Sequence, residues 1–103
     1  MIQIIVFIPV DYKEIVKEVM FDAGAGSFGS YDHCSFEHSG WGQFRPLKDS
    51  NAFIGTIGTA EKVEEVRVEM CCQKEYLDKV IKAMKEAHPY ETPAYYAIDT
   101  LNL

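Results

Sequence analysis

Ile2 to Pro9 is apolar on both sides of an extended chain. Ile2, Ile4, Val6 and Ile8 share one face, Ile5 and Phe7 the other, and only Gln3 interrupts the run. A strand of this kind has to be covered from above and below, which places it centrally in a sheet. The rest of the chain must supply that cover. With 103 residues, 48% of them hydrophobic, it is long enough for one core and too short for two, so a single domain over residues 1–103 is expected.

The cover is legible as two amphipathic helices. Tyr12, Ile15, Val16, Val19, Met20 and Ala23 follow the helical period, with Asp11 and Glu14 spaced as a capping box and Gly24 as the stop. Leu77, Val80, Ile81, Met84 and Ala87 repeat the period within Gln73 to Ala87, with lysines on the wet side. Pro89 ends this second helix near Ala87 and turns the chain into Ala94 to Leu101, rich in aromatic and branched residues and expected to be the closing strand. Val63 to Cys72 alternates, with Val66, Val68, Met70 and Cys72 on one face and Glu65, Arg67, Glu69 and Cys71 on the other, as a half-buried strand does.

Between Gly24 and Gly58 lie all seven glycines of the chain. Two short strands, Tyr31 to Glu37 and Gly42 to Pro46, are expected here, joined through His38, Ser39 and Gly40 as an extra hairpin. The order strand, helix, two or three strands, helix, strand predicts an α+β fold. It is the ferredoxin-like split β-α-β sandwich, with two helices on one face of an antiparallel sheet. The opposite face then carries Ile5 and Phe7 without an intramolecular cover, so a homo-oligomer that closes over it is expected.

Charge and cysteine content exclude several classes of function. Sixteen acidic and ten basic residues leave a formal charge of -6, which repels phosphate backbones and anionic lipid and argues against nucleic-acid and membrane partners. Met1 runs straight into the first strand without a cationic start, and no apolar stretch approaches a spanning length, so a soluble, cytoplasmic protein is expected. Cys34, Cys71 and Cys72 cannot all pair within one chain and form no Cys-x-x-Cys motif, which fits a reducing compartment.

The candidate site residues cluster in two places. His88-Pro89-Tyr90-Glu91-Thr92-Pro93 sets an imidazole, a phenol and a carboxylate at a forced helix exit. His88 and Glu91 can serve there as a metal pair, as an acid and base, or as anchors of the corner, and a protonated His88 would also complement the helix dipole. His33, Cys34 and His38 form a second set with zinc- or copper-binding chemistry, although His33 and Cys34 would face opposite sides of a strand. Gly24, Gly26 and Gly29 match a dinucleotide glycine pattern but follow a helix rather than a strand, so turn formation is their expected role. Glu64, Glu65, Arg67 and Glu69 are expected to form a solvated or subunit-facing surface.

Four segments carry a family resemblance. GSYDHCSFEHSGWGQFRP (Gly29 to Pro46), NAFIG (Asn51 to Gly55), VEEVRVEM (Val63 to Met70) and AHPYETPAYYAIDTL (Ala87 to Leu101) resemble, in that order, the YqfO-type inserted domain of the Nif-three-like dinuclear-metal family. That insert is similar in fold to CutA and the PII signalling proteins, which commonly form trimers, and CutA proteins carry a comparable His-Pro-Tyr-Glu corner. The resemblance therefore implies a CutA/PII-like module assembled as a homo-oligomer, most simply a trimer. The two lobes that hold the family's metal ions are absent from this sequence, so neither the dinuclear site nor a hydrolase activity carries over. Trp41, where a smaller polar residue is expected, is a further departure.

The resulting expectation is a noncatalytic regulatory or small-ligand-sensing module with a small-molecule or protein partner. His33, His88, Tyr90 and Glu91 are its candidate ligand-binding residues, brought together within one chain or between subunits. The alternative is a CutA-like divalent-metal protein binding zinc or copper through His33, His88 and Glu91. A third reading makes His88 and Glu91 the acid and base of an enzyme.

Overall fold

A computed structural model describes residues 1–101; Asn102 and Leu103, the end of the expected domain, lie outside the described residues. The chain runs through β1 (Ile2–Pro9), α1 (Lys13–Asp22), β2 (Phe36–Phe44), β3 (Glu61–Cys72), α2 (Leu77–Ala87) and β4 (Tyr95–Asp99). The strands form one antiparallel sheet in the order β2-β3-β1-β4. β1 is thus interior, as its two apolar faces require. Ile2, Ile4, Val6 and Ile8 meet Val66, Val68, Met70 and Cys72 of β3 in register. Val16 and Met20 of α1 and Val80 and Met84 of α2 close the core above them. Both helices lie on this one face, the split β-α-β arrangement. Among the described residues no helix is long and apolar enough to cross a membrane.

Two local expectations fail. The hairpin through His38, Ser39 and Gly40 is absent: these residues lie within β2, opposite Arg67, Val66 and Glu65 of β3. β3 is twelve residues long and offers a partner along its whole length, so the ladder overrides the turn preference of the glycines. Tyr31 to Ser35 lies outside β2 and contributes only a bridge between Tyr31 and Phe28. The capping box is not formed either. Asp11 sits in a tight helical turn, Val10–Tyr12, and α1 starts after it with no side-chain cap. Pro9 leaves the strand extended, and the turn satisfies its own amides, with the Lys13 N–H donating to the Val10 carbonyl.

Gly24 ends α1 as expected. Its φ of 121° is a conformation that side chains rarely adopt, and a Cβ there would lie 2.9 Å from Tyr76 Cγ. Gly24→Ala should therefore lower stability by about 1–3 kcal/mol. Gly40→Ala, at an ordinary backbone angle with open space around it, should change little. Urea midpoints of the two variants test this, and equal shifts would refute the assignment.

The face of the sheet away from the helices carries Ile5 and Phe7 of β1, with Phe36 of β2 and Tyr96 and Ile98 of β4 beside them. Ile5 is only 6% exposed, but Phe36 is 65% and Tyr96 57% exposed. Charged residues of β3 are interleaved: Gln3 donates to Glu69 at 2.7 Å, and the Arg67 guanidinium lies 5.9 Å from the centre of the Phe7 ring.

Candidate functional site

The corner after α2 is built around a neutral histidine. The His88 N–H donates to the Met84 carbonyl at 2.9 Å, the last helical bond, and the chain then turns extended ahead of Pro89. The ring is 6% exposed. Its Nε2 lies 2.8 Å from the Phe7 carbonyl oxygen, which can only accept, so Nε2 carries the hydrogen. Its Nδ1 receives the Tyr90 N–H at 3.1 Å and must be unprotonated. Burial lowers the imidazole pKa below its ordinary 6.5, against the opposing pull of the Phe7 carbonyl and the Glu65 charge. Of the three roles open to it, His88 takes that of anchor in this geometry, as a neutral double hydrogen-bond clamp between β1 and the loop rather than as a cation on the helix dipole.

Tyr90 and Glu91 extend the clamp. The Tyr90 hydroxyl donates to Glu65 Oε2 at 2.8 Å, and its ring packs edge-on against Phe44 with centroids 5.8 Å apart. Burial, reinforced by that bond and by the Glu65 charge, pushes the phenol pKa well above its usual 10. Glu91 Oε2 accepts the Asn51 N–H at 2.8 Å, tying the β2–β3 loop to the corner, and the Phe7 N–H donates to the Ala94 carbonyl at 3.1 Å. These ties border a half-open cavity of about 400 Å³ beside Phe7, Phe44, Phe53, Glu65, Tyr90 and Glu91. Its walls are mainly apolar and aromatic, with two carboxylates among them.

Of the expected site residues, His88, Tyr90 and Glu91 come together and His33 does not join them. His33 is exposed, with a φ of 55°, and its ring nitrogens lie 3.3 Å from Glu18 Oε1 and Asp32 Oδ1. Hydrogen bonding to Glu18, then to Asp32, raises its pKa above 6.5. The loop that holds it is fastened to the Cys71 carbonyl through the Gly26 N–H, and Cys71 pairs with Gln3, whereas His88 bonds Phe7. Gln3 and Phe7 are about 13 Å apart along the strand. Among the described residues no three His, Cys, Asp or Glu side chains are placed to hold a metal ion. The sets His33, His88, Glu91 and His33, Cys34, His38 are accordingly not assembled within one chain.

Glu65, Gly42, Phe44 and Phe53 were not singled out as site residues by sequence reasoning. Glu65, expected on a solvated or subunit-facing surface, is instead the Tyr90 acceptor. A signal for it existed in Gly40-Trp41-Gly42-Gln43-Phe44. A Cβ on Gly42 would overlap the Glu65 carboxylate, so the glycine makes room for Glu65 while Phe44 takes the Tyr90 ring.

No protein-family model matches the chain. It is 44% identical over 90 residues to the "GTP cyclohydrolase 1 type 2 homolog" of Bacillus subtilis (strain 168), a match covering 87% of this chain and 24% of that protein. The protein of the same name from Halalkalibacterium halodurans is 41% identical over 93 residues, covering 90% of this chain and 25% of its own length. Among solved structures, a Bacillus cereus protein related to NIF3 superposes with a TM-score of 0.84 at 42% identity, over 98% of this chain and 26% of that one. The chain thus spans about a quarter of the length of these relatives. CutA1 from Pyrococcus horikoshii superposes with a TM-score of 0.69 at 20% identity, over 100% of this chain and 86% of that one, which shows the CutA-like fold. The YqfO-type, Nif-three-like resemblance read from the motifs thereby holds as a relation to one segment of those larger proteins.

Proposed function

We propose that the chain is a noncatalytic, homo-oligomeric regulatory or sensing module that takes a small ligand in the cavity beneath the His88 corner. The observation that carries this reading is convergence. Gly42, Gln43, Phe44 and Pro46 of one distinctive motif and Tyr90, Glu91 and Thr92 of the other lie far apart in sequence and line the same cavity, with His88 behind its wall rather than in it. An acid-base role for His88 is disfavoured because both ring nitrogens are engaged by the main chain. Self-association is supported by the sheet face that leaves Phe36, Tyr96 and Ile98 exposed, with three copies expected from the CutA/PII resemblance. Native mass spectrometry at micromolar concentration should find an oligomer, and monomer alone would overturn the assembly.

A CutA-like divalent-metal role draws less support, since binding through His88 would break one of its two main-chain bonds and His33 is remote from Glu91. Wild type and Glu91→Gln should bind zinc and copper equally weakly in a calorimetric titration. Saturable binding that is lost in the variant would establish a metal site instead.

A further inference from the structure

The cavity walls have a one-sided chemistry. No lysine, arginine or histidine lines it, while Glu65 and Glu91 both do. Each carboxylate spends one oxygen on the protein, Glu65 Oε2 on the Tyr90 hydroxyl and Glu91 Oε2 on the Asn51 N–H. Neither Oε1 has a hydrogen-bond donor among the described residues, and Gly42 gives the Glu65 carboxylate its room. The remaining wall presents the rings of Phe7, Phe44 and Phe53. Aromatic faces and unpaired carboxylate oxygens both attract positive charge, and an anion placed here would sit beside two like charges. A bare metal ion would lack a third ligand of suitable type. At about 400 Å³ the space falls within the range of about 300–1,000 Å³ typical of small-ligand pockets.

We propose that the cavity binds an organic cation, a protonated amine carried on an apolar or aromatic body. The ammonium sits on the Glu65 and Glu91 side and the body against the phenylalanine rings. This assignment rests on the cavity being the ligand site of the module. The chain already shows the same pairing just outside the cavity, where the Arg67 guanidinium lies over Phe7.

The test is a titration of the full chain with phenethylamine, phenethyl alcohol and hydrocinnamate, which share one aromatic body and differ in charge. Binding is followed by the amide NMR shifts of Gly42, Phe44, Glu65 and Glu91. Phenethylamine should saturate at least tenfold more tightly than the alcohol, and hydrocinnamate should not bind, in keeping with the strength of charge-assisted hydrogen bonds. Glu65→Gln with Glu91→Gln keeps both acceptor carbonyls and removes both charges. In that double variant the amine should lose its advantage and bind within about twofold of the alcohol. Alcohol binding as tight as the amine in wild type would overturn the cation assignment while leaving the cavity as a ligand site. If none of the three compounds moves these amides, the cavity reading falls with it.

Discussion

His88→Ala is expected to destabilise the fold by about 3 kcal/mol, the loss of two buried hydrogen bonds and of the ring that fills their space. The Phe7 carbonyl and the Tyr90 N–H would both be left without their partner at a site that is 6% exposed. For a domain of this size the melting temperature should fall by about 12–20 °C at fixed protein concentration. His88→Gln, whose amide offers a donor and an acceptor but lacks the ring that fills the site, should fall between. The pH dependence has a defined sign. Because burial lowers the His88 pKa below 6.5, the folded state favours the neutral ring while the unfolded chain takes up a proton first. The His88 contribution is therefore complete above pH 6.5 and is lost as pH falls below that value through the folded-state pKa. Urea midpoints of wild type and His88→Gln between about pH 8 and 5 should diverge at neutral pH and converge in acid. A melting temperature unchanged in His88→Ala would show that the clamp carries no stability.

Placing aspartate at Phe36 and Tyr96 together should convert the proposed oligomer to monomer. Both side chains stand on the sheet face away from the helices and are more than half exposed in one chain, so their removal takes little from the core. In an oligomer closed over that face they would be buried, and aromatic anchors in such positions are each worth about 2 kcal/mol or more. Unpaired carboxylates would add a desolvation penalty. The combined loss corresponds to a dissociation constant raised about a thousandfold or more. Sedimentation velocity at micromolar concentration should show the double variant as monomer with its circular dichroism unchanged. A variant that sediments like wild type would place the interface elsewhere.

Much of the architecture is readable from local pattern. β1 declares itself by being apolar on both faces, β3 by strict alternation, and α2 by its stripe and the proline that ends it. Each of these reflects burial with a fixed period along the chain, and the sheet realises them nearly as read. The same reasoning misplaces the hairpin, because Ser39 and Gly40 resemble a turn only while their partner is unknown. Opposite Val66 and Glu65 they are strand residues.

The site divides in the same way. His88, Tyr90 and Glu91 stand together in the sequence, and Pro89 sets them at one corner, so the chain itself brings them into a single candidate site. That the imidazole is neutral, that Glu65 rather than His33 joins the group, and that an aromatic cavity lies beneath it follow only from pairing between distant segments. The β2–β3 register brings Gly42 beside Glu65, and the packing of α2 on the sheet carries His88 to the Phe7 carbonyl. His33 has the same chemistry as His88 and a different fate because its loop is fastened near the other end of β1. Residue type and period are local properties that a sequence records directly. The charge state of a histidine and the walls of a cavity depend on which distant groups replace water around them, and that is settled by the packing alone.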